Sequence, residues 1–183
     1  GVMNHSVSAS GGSDRLNSFI SFNYAGTPGI IENTGYKRYG IRSNNQLSVT
    51  SWLNVGMNLS GTLTEKERGS DNLSGMFTNS ILSVPTVVVR SPDGRYGGTN
   101  NAEDNTVARS PLVYMKALKG GDKAQTFNGR FYFNFHPIEG LNVDGSYNYN
   151  FFTKKQITIP VQIDTWNFQT NSILSPGAGT QLY

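Results

Sequence analysis

The side chains best suited to chemistry are sparse in this sequence and do not converge. His5 and His136 lie on different segments, and neither has a carboxylate at metal-ligand spacing. Asp93, Glu103 and Asp104 stand in a Gly/Asn-rich stretch whose oxygens would suit a hard cation. Their spacing matches no calcium loop, so a solvated loop is expected there. Gly11-Gly12 and Gly97-Gly98 are not followed by a helical pattern, which removes the phosphate-cradle reading. No serine is set beside a general base. The chain has no cysteine, which excludes thiolate zinc sites, disulfides and thiol nucleophiles. A net charge of +3 over 183 residues leaves no nucleic-acid footprint. The expectation is a protein that is not an enzyme and has no cofactor or bound metal. What remains is a set of hydrogen-bonding and stacking side chains, Arg38, Arg42, Asn44, Arg130, Tyr132 and Asn148, interleaved with apolar residues. Such groups would line a polar route for a sugar or a peptide.

The elements that carry these residues read as strands. Gly, Asn, Ser and Thr make up about two-fifths of the chain, a mixture that disfavours helices. Alternation at period two recurs in six segments, expected near residues 4–11, 14–26, 35–49, 53–66, 125–137 and 140–154. The cleanest places Leu53, Val55, Met57 and Leu59 opposite Asn54, Gly56, Asn58 and Ser60. Phe127, Phe131, Phe133 and Phe135 likewise oppose Asn128, Arg130, Tyr132 and Asn134, while Leu141, Val143, Tyr147 and Tyr149 oppose Asn142, Asp144 and Asn148. Ser43 and Asn45 interrupt the apolar face of the third segment.

These runs exceed the usual globular strand of about 5–6 residues and suit the roughly 9–11 residues of a strand tilted across a bilayer. Short turns join segments one to two, three to four and five to six. Longer connections, about residues 25–35 and 65–126, join the others, as at the two rims of an outer-membrane barrel. Tyr24, Tyr36, Tyr39, Trp52, Phe135 and Phe151 fall at segment ends, where aromatic girdles belong. No stretch approaches 18 consecutive apolar residues, so no transmembrane helix is expected, and no leader pattern precedes Ser13. The mean hydropathy of −0.40 is compatible with a membrane barrel, because only alternate residues face lipid. The fold class is therefore all-β: an antiparallel up-and-down transmembrane β-barrel segment of about six strands, with long extracellular loops. Leu53, Val55, Met57 and Leu59 are expected to face lipid, and the six polar residues named above to face the lumen.

The connection at about 66–125 is long enough to be functional. A short helix is expected over Leu73 to Leu82 and an extended piece over Thr86 to Arg90, with residues 97–106 mobile. Phe77, Arg90 and Tyr96 are candidates for substrate or partner contact. The tail from Lys154 is expected to continue without a closing strand.

Three runs carry a family resemblance: His5-Ser-Val-Ser-Ala-Ser-Gly-Gly-Ser13, Gly29-Ile-Ile-Glu-Asn-Thr-Gly-Tyr-Lys-Arg-Tyr39 and Trp52-Leu-Asn-Val-Gly-Met-Asn-Leu-Ser60. Together with Pro85 to Gly94 and Pro137-Ile-Glu-Gly-Leu141, they resemble the early barrel of SusC/RagA-type TonB-dependent outer-membrane transporters. The resemblance implies that residues 1–183 form part of a 22-stranded barrel whose plug domain is absent from this stretch. It implies a bacterial outer-membrane location, contact with outer-membrane lipids, a SusD-like surface lipoprotein as partner, and TonB acting through the plug. Oligosaccharides or peptides are the implied cargo. The competing expectation is a soluble all-β carbohydrate-binding or adhesin module, in which a second sheet covers the apolar face.

Overall fold

The computed structural model describes residues 1–67, 73–83, 85, 88–98, 110–116 and 118–175. Six long strands form one sheet in the order β1 (Met3–Gly12), β2 (Leu16–Pro28), β3 (Gly35–Thr50), β4 (Leu53–Glu67), β6 (Leu118–Ile138) and β7 (Leu141–Pro160). A second, three-stranded sheet joins β5 (Tyr96–Gly97), β8 (Thr165–Asn167) and β9 (Ser172–Ser175). Two helices complete the elements, α1 (Leu73–Leu82) and α2 (Pro111–Lys116). The chain divides into two compact units: residues 1–28, 35–66 and 122–156 in the first, and 29–34, 67–121 and 157–183 in the second.

In the first unit the antiparallel register fixes which side chains share a face, because directly opposed residues point the same way. Val7 lies opposite Phe22 and Phe22 opposite Ile41, with His5, Tyr24 and Tyr39 forming the parallel row two residues along. Ser8, Ser21 and Arg42 share the other face, as do Ser10, Phe19 and Asn44. Contacts carry the assignment across the remaining strands. A Cβ at Gly61 would meet Ile41, and one at Gly129 would meet Leu59. One at Gly145 would strike the Phe133 ring. On the opposite face, Asn128 donates to Ser60 Oγ and Asn134 to Asp144 Oδ1.

One face is thus largely apolar and the other largely polar. The apolar face is not packed: Val7 is 71% exposed, Phe22 52% and Tyr147 66%, and the one buried large hydrophobic among the described residues is Val113 of α2. Its aromatic residues pair near the strand ends. Tyr24 and Tyr39 lie 5.2 Å apart, and Trp52 meets Phe135 edge-on at 5.5 Å. The polar interruptions noted in β3 satisfy one another: Ser18 donates to Asn45 Oδ1, and Asn45 Nδ2 donates to Ser43 Oγ at 2.9 Å. No second sheet covers this face in the first unit. β1 and β7 stand at the ends of the strand order, each with a strand on one side only.

The strands run further than the alternation suggests. β6 begins at Leu118 rather than near 125, and β7 continues to Pro160 rather than 154. The Lys119-Gly-Gly-Asp-Lys123 stretch has no alternating apolar residues, but cross-strand ion pairs support the ladder there. Lys123 meets Glu65 at 2.7 Å and Lys154 meets Asp122 at 3.4 Å. β2 likewise pairs through to Pro28 opposite Gly35, which shortens the second connection to residues 29–34. That turn closes with the Gly29 N–H donating to the Thr34 carbonyl at 2.8 Å and with Asn33 at positive φ. The short helix α2 and the strands β5, β8 and β9 are additions to the expected elements; Gly97 lies in β5 rather than in a mobile stretch, and the tail's strands join the second sheet and do not close the first. Of the remaining expectations, Thr86 and Val87 in the extended piece, and residues 99–106, lie outside the described residues.

The second unit is organised around Arg95. Its guanidinium pairs with Asp93 at 2.6 Å, donates to Asn171 Oδ1 at 2.8 Å, and lies over the rings of Trp166 (4.6 Å) and Phe168 (5.3 Å). Thr165 is buried between β5 and β9, and Asn167 Oδ1 accepts the N–H groups of Gln169 and Thr170 to close the turn into β9. The Arg95 backbone N–H is the main cause that holds the Asp93 carboxyl below its ordinary value; burial, next in size, opposes it, and the Arg95 side chain and Ser91 add to the lowering. Depression of a folded-state pKa contributes stability above the unfolded value that is lost as pH falls through the folded one. Protection of the Tyr96–Gly97 and Thr165–Asn167 amides, taken relative to the unfolded chain at the same pH, is therefore expected to stay high at neutral pH and to fall below about pH 4. Asp93→Asn should abolish that pH step. An unchanged acid step in Asp93→Asn would assign it to another group.

Candidate functional site

The polar face of the long sheet carries an open concavity of about 900 Å³, lined among others by Arg42, Asn44, Asn58, Arg130, Tyr132 and Asn148. Five of the six expected route-lining residues therefore meet around one hollow. Arg38 shares their face, opposite Ala25, but lines a separate hollow of about 210 Å³ with Asn4, Asn23 and Tyr24. The hollow's cations belong to alternate strands: Arg42 on β3 and Arg130 on β6. Neither has a carboxylate partner among the described residues, and Arg130 lies 5.5 Å over the Tyr132 ring. Guanidinium forks, amide groups and one phenol offer donors and acceptors in a row, which suits hydroxyl-rich or amide-rich ligands. No group of three or more His, Asp or Glu residues that would hold a metal occurs among the described residues. His136 Nδ1 lies 2.6 Å from Asn142 Oδ1, and His5 stacks on Tyr24, so both histidines are used in the wall itself.

A missing side chain shapes the hollow. Tyr132 lies flat across β4 at Gly56, where a Cβ would come within 2.1 Å of the ring. Glycine is weak in a strand, and a ring laid over it restores cover to the exposed backbone.

The candidates in the long connection separate. Arg90 and Tyr96 come together, the guanidinium 5.8 Å from the ring centre, in the second unit. Phe77 stands apart on α1, 56% exposed, with Ile81 one turn on at 82%. Arg95 was not among the expected contact residues, and its sequence signal is weak. The Asp93-Gly94-Arg95 turn is readable, whereas the partners Trp166, Phe168 and Asn171 are distant in the chain.

The fold and the polar hollow define a class: a stretch of antiparallel barrel wall, apolar on one side and hydrogen-bonding on the other. No protein-family profile matches the chain. Two curated relatives do: "TonB-dependent receptor P26" of Formosa agariphila is 25% identical over 155 residues, and "TonB-dependent receptor P3" of the same organism is 24% identical over 156. These alignments cover 85% and 81% of this chain but 15% of each relative, so the chain spans a small part of their length. Among solved structures, the RagAB peptide transporter superposes with a TM-score of 0.60 at 20% identity, over 84% of this chain and 18% of that one. The RagAB peptide importer in its closed-closed state gives 0.62 at 20% identity, over 87% and 18%. The chain is thus similar to a stretch of two TonB-dependent receptors in sequence and to part of the RagAB barrel in fold, in keeping with the resemblance read from its motifs.

Substitution tests the packing of the hollow. Gly56→Ala is expected to push the Tyr132 ring aside and cost about 1–3 kcal/mol of unfolding free energy. In the Tyr132→Ala background the same change should cost nearly nothing. Equal costs in both backgrounds, measured by denaturant unfolding, would show that the ring does not depend on Gly56.

Proposed function

We propose that this chain is part of the wall of a TonB-dependent importer in a bacterial outer membrane, with its apolar face against lipid and its polar hollow lining the import route. The observation that carries this reading is the apolar face itself. A contiguous exposed surface of this size is rare on a water-soluble monomer and needs a nonaqueous neighbour. Its dimensions suit a bilayer. From Tyr39 to Val49 a strand rises roughly 33 Å, which a barrel tilt of about 40° reduces to roughly 25 Å, the height of an outer-membrane apolar band. The short turns at residues 13–15, 51–52 and 139–140 then mark the periplasmic rim, and the longer connections between strands the extracellular one.

The cargo class, oligosaccharide or peptide, is supported by the mixed donors and acceptors of Arg42, Asn44, Arg130, Tyr132 and Asn148. The peptide alternative gains support from the names of the solved neighbours. A SusD-like surface lipoprotein is the partner, and Phe77 with Ile81 offers it an exposed apolar turn of α1. Arg90 and Tyr96 contribute to the same extracellular surface. TonB acts through a plug that belongs to other parts of such receptors.

The test uses the full-length receptor. Met57 stands on the apolar face of β4, so Met57→Leu should leave assembly unchanged. Met57→Arg should lower the folded yield in outer membranes sharply, since a cation near the midplane costs about 2–4 kcal/mol. Heat-modifiable mobility of the detergent-extracted protein reads the folded fraction. Normal assembly of Met57→Arg would contradict the lipid-facing assignment.

A further inference from the structure

Charge is unevenly distributed over the polar face. The hollow of about 900 Å³ is lined by two arginines, Arg42 and Arg130, and by no aspartate or glutamate. Both arginines are exposed, and Arg130 rests over the Tyr132 ring rather than on a carboxylate. The carboxylates of the same face lie outside the hollow and are engaged: Asp144 accepts from Asn134 at 2.6 Å, and Asp122 pairs with Lys154 at 3.4 Å. In the turn beside Gly12, Asp14 is followed directly by Arg15. Alternation along β3 and β4 adds Arg38 and Lys66 to the polar side. The polar face of the six strands thus sets the cations Arg38, Arg42, Lys66, Arg130 and Lys154 against the carboxylates Asp122 and Asp144. Carboxamides fill much of the rest of the hollow, among them Asn17, Asn44, Asn58 and Asn148.

We propose that the hollow binds an acidic oligosaccharide, with Arg42 and Arg130 gripping the carboxylates or sulfates of the sugar chain; this deepens the import reading above and rests on it. A guanidinium presents paired N–H donors that fit two oxygens of a carboxylate or sulfate in parallel. The two arginines stand on β3 and β6, either side of β4, so their strands are about 9–10 Å apart and one chain crossing them meets both. A neutral sugar would leave both guanidiniums without a counter-charge. Each carboxamide offers donors and an acceptor, the combination that a hydroxyl takes. An acidic peptide would also bring apolar side chains, for which the rings of Phe19 and Tyr132 are the main surfaces on this side of the hollow. The balance of amides over apolar surface favours the sugar.

The test is titration calorimetry of the full-length receptor in mild detergent with hexagalacturonate, with its fully methyl-esterified form, and with hexaglutamate. Hexagalacturonate is expected to bind, and the uncharged ester and the peptide to bind far more weakly. Losing one charge-assisted contact costs about tenfold, so Arg42→Gln and Arg130→Gln should each weaken hexagalacturonate binding by about that factor. Neither variant should change binding of the ester. Lys154→Gln, on the same face but outside the hollow, should leave hexagalacturonate binding unchanged. Equal binding of acid and ester, no binding of the acid, or wild-type affinity in both arginine variants would overturn the site. So would an equal loss in Lys154→Gln, which would assign the effect to the general field of the face. Hexaglutamate bound as tightly as the sugar would overturn the sugar assignment. Heat-modifiable mobility of the same preparations reads folding separately. A wild-type receptor that fails to fold in outer membranes overturns the import reading, whereas a folded one that does not discriminate overturns the site alone.

Discussion

The structure depends on one constraint: the long sheet has an apolar face that the rest of its own unit does not cover. In a water-soluble protein of this size that face would be the core. Here the one buried large hydrophobic among the described residues is Val113 of α2, which belongs to the second unit. Burial of a Phe, Leu or Ile side chain is worth about 1.5–3 kcal/mol, so a face carrying Phe22, Ile41, Phe131, Phe133 and Tyr147 must meet another apolar phase. In the membrane reading proposed above, lipid supplies that phase without a second sheet. It also requires backbone groups to be paired within the protein, which a ladder of six long antiparallel strands achieves everywhere but at β1 and β7.

The same constraint explains the exceptions. Ser18, Ser43 and Asn45 stand on the apolar face but spend their polar atoms on each other. Polar groups placed against hydrocarbon are costly unless hydrogen-bonded, and a closed cluster limits that cost. Glycines on both faces do related work: Gly145 admits the Phe133 ring and Gly56 admits Tyr132. Because alternation sends neighbouring residues to opposite sides, one strand both anchors the wall and furnishes the hollow. Tyr132 and Phe133 are adjacent in the chain and serve the two faces.

Much of the long sheet was legible in the sequence, since a period of two leaves a direct trace in Leu53 to Leu63 and in Phe127 to Phe135. Its strand ends were less so. Where β6 starts and β7 continues, cross-strand ion pairs and backbone bonds hold the ladder, and residues such as Gly120 and Gly121 give no alternating signal. The second unit was hardly legible at all. Its sheet joins Tyr96–Gly97 to Thr165–Asn167 across a long sequence separation, and Arg95 meets Trp166 and Phe168 only after folding. The polar hollow was readable as a face, because parity alone assigns Arg42, Asn44, Arg130, Tyr132 and Asn148 to one side. That they meet in one concavity while Arg38 lines another depends on register, which parity does not give.

The most direct measurement of the central claim is spin-label accessibility along β3 in the full-length receptor reconstituted in bilayers, one label at a time. This stretch has no cysteine of its own to interfere. Labels at positions 39, 41, 47 and 49 should collide with oxygen dissolved in lipid and be shielded from a water-soluble nickel chelate. Labels at 38, 42, 44 and 46 should show the reverse, so that accessibility oscillates with a period of two. A strand whose two faces are equally accessible to the nickel chelate, or whose odd positions are shielded from both reagents, would contradict the lipid-facing wall.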